Sequence, residues 1–164
     1  MRTGLIVALM TILYPTLFSQ QKDIIDDPSA NVILEITYDL AADWESLDAD
    51  EYLNNFSRDL VFYFAGNRMG YDELEKSVRI SIPALAESTF EVLDPRVSVI
   101  GKDHGVISFE LKETFLDEKG SHEELEAAMT LVWRMEGQDW KVVMAHESLP
   151  LVSSRSDEDS GRSK

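Results

Sequence analysis

The chain contains no cysteine among its 164 residues. That excludes a disulfide framework, a thiol nucleophile, a thiolate metal site and a lipid-modified cysteine behind a leader, so stability has to come from packing. Basic residues are scarce: 15 Lys and Arg stand against 31 Asp and Glu, a formal net charge of −16, and no basic run interrupts the acidity. Such a surface repels phosphate backbones, so nucleic acid is not an expected partner. The acidity itself suits solubility outside the cytoplasm. Also missing are a Gly-x-Ser-x-Gly elbow, a phosphate-cradling glycine loop and two histidines at ligand spacing. Serine-hydrolase, nucleotide and metal chemistry therefore lose their usual signatures, and neither a metal nor a cofactor is expected. The N-terminal apolar run, Leu5 to Leu13, follows Arg2 and precedes Leu17-Phe18-Ser19. These are the n-, h- and c-regions of a cleaved secretory signal peptide over residues 1–20. Tyr14, Pro15 and Thr16 break the run before it reaches the ~20 apolar residues a membrane span needs. The expected location is secreted or periplasmic, with no membrane attachment after cleavage.

What remains suits one domain, over residues 27–151, large enough to bury a core. Asp27-Pro28 offers a helix cap with proline at the first helical position, and Ile33, Ile36, Leu40, Trp44 and Leu47 recur at helical spacing after it. Asp48 can cap a second, short helix through Tyr52 to Phe56. Leu60 to Ala65 reads as a strand closed by Gly66-Asn67. A third helix starts after Gly70, carries Leu74, Val78 and Ile82, and is bent or ended by Pro83. Four long strands follow: Ser88 to Ile100, Gly105 to Leu116, Glu123 to Met135 and Trp140 to Leu149. Asp94-Pro95 marks a bulge in the first of them. Helices first and consecutive antiparallel strands afterwards make an α+β domain: three N-terminal helices packed on a curved, mainly antiparallel sheet. Residues 152–164 are polar with no apolar face and read as a disordered tail.

Three passages carry a family resemblance. Trp44-Glu45-Ser46-Leu47-Asp48, then Phe56-Ser57-Arg58-Asp59-Leu60-Val61-Phe62, is similar to a helix-to-first-strand passage. Gly70-Tyr71-Asp72-Glu73-Leu74 resembles the glycine opening of a third helix. Trp140-Lys141-Val142-Val143-Met144-Ala145-His146-Glu147-Ser148 looks like a last strand. In this order they resemble the SnoaL-like branch of the nuclear-transport-factor-2-like superfamily, a cone of helices and bent sheet around an internal pocket. One scaffold there hosts many activities. Ketosteroid isomerases on it use a helix-one tyrosine and an acid to hold an oxyanion, and a first-strand aspartate as base. Tyr38 falls at the tyrosine, but Phe64 stands at the base and Leu131 at the acid, and neither can move a proton. That isomerisation is disfavoured. Tyr38 either faces the cavity or packs beside Leu34.

Regular alternation puts Trp140, Val142, Met144, His146 and Ser148 on one side of the last strand, facing Met129, Leu131, Trp133 and Met135 of its hairpin partner. The resemblance implies that this side lines the cone. Trp44, Phe62, Phe64, Leu131, Trp133, Trp140 and Met144 would then hold a small apolar or aromatic molecule, or else fill the cone as core. His146 faces inward in this reading, as an acid or base or as a hydrogen-bonded core histidine. Glu113 shares the apolar face of Ile107, Phe109, Leu111 and Phe115, where burial would raise its pKa, unless a bulge or the strand end returns it to water. Two functions follow. One is a ligand-binding domain without dedicated catalytic machinery. The other is a proton-transfer enzyme, an isomerase, cyclase or dehydratase, that uses His146 and Glu113 with Tyr38 as hydrogen-bond donor. The outer sheet face, with Val61, Tyr63, Val132 and Val143, suits pairing with a second copy, as the family's sheets often do.

Overall fold

The computed structural model describes residues 28–149. The leader expected at residues 1–20 and the tail expected from residue 152 lie outside the described residues. Helix α1, Pro28–Glu45, opens on the expected proline and buries Ala30, Ile33, Thr37, Leu40 and Ala41. Thr37 fits this seam because its hydroxyl donates to the Ile33 carbonyl at 2.7 Å. Helix α2, Ala49–Asn54, is capped as its sequence suggests: the Asp48 carboxylate accepts from the amides of Asp50 and Glu51 at 2.9 and 3.2 Å. Strand β1, Phe56–Phe64, begins earlier than the alternation indicated, because its irregular first half still pairs with the last strand. Ala65 and Gly66, both at positive φ, turn the chain into the short β2, Asn67–Met69. Helix α3, Tyr71–Ser81, buries Tyr71, Leu74 and Val78 and tightens into a 3-10 turn at Ile82–Ala84, where Pro83 stands.

The remaining strands are β3, Leu85–Ile100; β4, His104–Asp117; β5, His122–Glu136; and β6, Asp139–Ser148. They form one six-stranded sheet in the order β2-β1-β6-β5-β4-β3, antiparallel throughout except where β1 runs parallel to β6. The architecture is the expected α+β one, with the helices on one face of the sheet and a single apolar core between. The Asp94-Pro95 bulge is present: register shifts between Leu93 and Arg96, and Asp94 takes φ +47°. On β4, Ile107, Phe109 and Leu111 point into the core as their parity requires.

One end of this layered structure is closed. A Cβ on Gly105 would stand 2.5 Å from two side-chain atoms of Ile33, so only glycine lets β4 approach α1 so closely. Across the ladder from Gly105 lies Trp133, fully buried, with Val142 as its partner on β6. These side chains form packed core and line no hollow.

Strand β6 departs from regular alternation. Trp133 pairs with Val142 but Val132 pairs with Met144, which leaves Val143 as the extra residue of a β-bulge. Before the bulge the even-numbered Val142 is buried; after it the odd-numbered Ala145 and Glu147 are buried. His146, Met144 and Ser148, expected to look inward, therefore stand on the outer face, and Met144 is 43% exposed. The cause lies outside the strand. The Val142 amide donates to the Asn55 carbonyl at 2.8 Å, at the end of α2, and this pulls the backbone off the regular ladder.

Candidate functional site

The buried polar groups of the inner face identify the site. Glu113 on β4 and Glu147 on β6 are each only 6% exposed, on the face that also carries Leu111, Ala127 and Met129. Among the described residues no cation forms a salt bridge with either carboxyl. Burial, and after it the charge of Glu147, pushes the Glu113 carboxyl up to about 8; the Trp44 indole partly offsets this. Burial alone pushes Glu147 up to about 7. The Tyr52 phenol is raised by burial first, then by Glu113 and Glu147, so its oxygen shares their enclosure. Tyr52 stacks between Trp44 and Phe56, with ring centroids 4.8 and 5.1 Å away. Two carboxyls, a phenol and an indole thus converge beneath a run of aromatic rings.

Hydrogen bonding within this region is incomplete. Among the described residues, Glu147 Oε1 and the indole Nε1 atoms of Trp44 and Trp133 are buried and have no hydrogen-bond partner, as does Ser88 Oγ. The Trp44 N–H influences Glu113 without reaching hydrogen-bond geometry. Unpartnered buried polar atoms cost folding free energy, about 1–3 kcal/mol each, and mark places where a native structure serves something other than packing.

A cleft of about 350 Å³ opens beside this cluster, at the end of α1 remote from Gly105. Trp44, Ala84, Leu85 and Phe115 give it apolar walls; Asp117 and Glu123 stand at its rim. Phe115 lies two residues beyond Glu113 on the same face of β4, so the cleft runs along the strand toward that carboxyl. Its volume is in the range of small-molecule sites. The sequence of α1 positions Trp44 there, since Ile33, Leu40 and Trp44 share one side of the helix and Ile33 is pinned at Gly105. The helix end is tied down where the Phe90 amide of β3 donates to Glu45 Oε1 at 2.7 Å.

The residues singled out from sequence divide accordingly. Glu113 lies in the interior and Trp44 lines the cleft. Phe62, Leu131 and Trp133 are buried in the closed core, while Trp140 is half-buried against it. Phe64, at the turn, is 36% exposed. Tyr38 is 46% exposed on the outer side of α1, because Thr37 and Leu40 take the inward positions. It cannot donate into the interior. His146 packs edge-on against Tyr63 on the outer face, at 6.3 Å between centroids, so a Glu113–His146 pair does not form. The partner of Glu113 is Glu147, which regular strand parity hides.

The family model described as a SnoaL-like domain matches residues 33–152. No curated protein matches the sequence. Several solved structures share the fold. A nuclear transport factor 2-like superfamily protein from Salmonella enterica is 16% identical, with a TM-score of 0.64 over 77% of this chain and 94% of that one. The association domain of C. elegans CaMKII is 19% identical, with a TM-score of 0.60 over 80% and 96%. A Novosphingobium aromaticivorans protein assigned as a scytalone dehydratase is 11% identical, with a TM-score of 0.70 over 80% and 89%.

Proposed function

Since the chain belongs to the SnoaL-like domain family, we propose that it is an exported domain that binds a small, largely apolar or aromatic molecule. The ligand lies in the Trp44–Phe115 cleft, and Glu113 and Glu147 are the polar groups that orient it. The observation that carries this reading is Glu147: its Oε1 is buried on the inner face without a partner, beside a second desolvated carboxyl and a cleft of ligand size. Export rests on the leader-like residues 1–20, and the acidic surface suits a secreted or periplasmic location. The outer sheet face, with exposed Met144 beside half-buried Tyr63, Val132 and Val143, is the surface on which a second copy would pair.

A proton-transfer enzyme is the second reading, favoured by one specific observation. Near pH 7 Glu113 holds its proton while Glu147 is about half ionised, which gives a carboxylic acid and a carboxylate in one enclosure. The relatives do not decide between the two, because the fold carries both an association domain and a protein assigned as a dehydratase.

One experiment addresses both. A set of neutral and charged aromatic fragments is added to the isotope-labelled protein and the Trp44 indole N–H is followed by NMR. Shifts at Trp44 and Phe115 are expected, with affinity at least tenfold weaker in Trp44→Ala. A fragment recovered unchanged supports binding; one recovered as an isomer or dehydration product supports turnover. Shifts confined to other surfaces, or none, overturn the proposal.

A further inference from the structure

The proposed binding site has a consistent sign of charge. At the rim, Asp117 and Glu123 are acidic; at depth, Glu113 and Glu147 are carboxyls; no Lys, Arg or His lines the cleft. The chain as a whole carries −16, so the long-range field has the same sign. Two carboxyls on one buried face cannot both ionise without a positive partner, and among the described residues none pairs with them. Aromatic rings complete the surroundings, with Trp44, Tyr52 and Phe56 in sequence, each within 5.1 Å of the next between centroids.

Carboxylates that converge with aromatic faces are the surroundings in which proteins hold organic cations. An ammonium group supplies up to three donors, enough for the unpartnered Glu147 Oε1 and for Glu113, and its charge lets both carboxyls ionise. A metal ion needs more ligands than this site offers, since among the described residues there is no group of three or more His, Cys, Asp or Glu. An anionic ligand would meet only like charge. A neutral ligand would leave the two carboxyls in conflict.

We propose that the ligand is a small aromatic or alicyclic amine, bound as its protonated cation, with the ammonium between Glu113 and Glu147 and the apolar body against Trp44 and Phe115. This rests on the cleft being a binding site. The specificity is a difference between matched ligands: the amine gains the two carboxylates, and its neutral isostere does not.

Calorimetric titration of the full-length protein at pH 7 with phenethylamine, 2-phenylethanol and 3-phenylpropionate tests it. The amine is expected to bind at least tenfold more tightly than the alcohol, and the carboxylate not at all. Glu147→Gln and Glu113→Gln should each cut that preference to below threefold while alcohol affinity changes by less than twofold. Alcohol binding equal to or tighter than amine binding overturns the amine assignment and leaves the cleft as a binding site. Failure of all three to bind overturns both. An amine preference that survives in both Gln variants also overturns the assignment, because the cation would then be held elsewhere.

Discussion

The protein is expected to lose stability steadily as pH rises from about 5 to 8.5, by on the order of 5 kcal/mol, with most of that loss abolished in a Glu113→Gln/Glu147→Gln double variant. The sign follows from proton counts. Both carboxyls have folded-state values above the ordinary 4.5, at about 8 and about 7. Between the unfolded and folded values the native state holds more protons than the unfolded chain, so stability falls as pH rises. The contribution is fully present below about 4.5 and is lost as pH passes through the folded values. Each unit of displacement is worth about 1.4 kcal/mol, and the interaction between the two carboxyls keeps the total below what independent groups would give. Typical domains have about 5–15 kcal/mol to lose, so the alkaline limb should be plain in urea unfolding at pH 5, 6, 7 and 8.5. Asp59 and Glu136 act in the opposite sense. Hydrogen bonds from Ser57 and Arg134 hold their carboxyls below the usual range, so their contribution is lost only as pH falls into the acid region. Stability that is flat or rising between pH 5 and 8.5, or an undiminished slope in the double variant, would contradict enclosure of the two carboxyls.

The same substitution at two neighbouring positions of β6 should have opposite outcomes. Ala145→Lys is expected to cost at least about 4 kcal/mol, because it drives an ammonium into the core between Leu131 and Phe62, the partners of Ala145 on the flanking strands. His146→Lys should change stability by less than about 0.5 kcal/mol, since its side chain stands on the outer face beside Tyr63. Thermal unfolding followed by circular dichroism separates the two. A regular strand without the Val143 bulge predicts the reverse order, so the pair tests the bulge itself.

How much of this was legible in the sequence depends on where each residue finds its constraint. The Asp48 cap, the Pro28 start of α1 and the Asp94-Pro95 bulge are local chemistry, and each appears where its residues indicate. The inward face of β4 was readable because nothing interrupts its alternation from Gly105 to Phe115, and that placed Glu113 correctly in the interior. Glu147 was not readable. Its inward orientation depends on a bulge fixed by pairing with β5 on one side and β1 on the other, and by a hydrogen bond to Asn55 some 87 residues earlier. Nothing in Val142-Val143-Met144 announces that the strand changes parity there. Tyr38 failed for a related reason: the helical period leaves it near the edge of the buried stripe, and the Thr37 hydroxyl, satisfied by its own helix, takes the inward position. The location of the hollow was also a tertiary matter. The contact of Gly105 with Ile33 closes the Trp133 end, so the aromatic side chains expected to line a pocket became core, and the cleft lies at the other end of α1.

The central claim, that Glu113 and Glu147 face each other's charge inside the domain, is tested most directly by titrating their side-chain carboxyl carbons by NMR in the wild-type protein. Two transitions are predicted, near pH 8 and pH 7, well separated from the other carboxylates, and replacing Glu147 with Gln should bring the Glu113 transition down. Both carbons titrating near 4.5, with no response of either to substitution of the other, would contradict it.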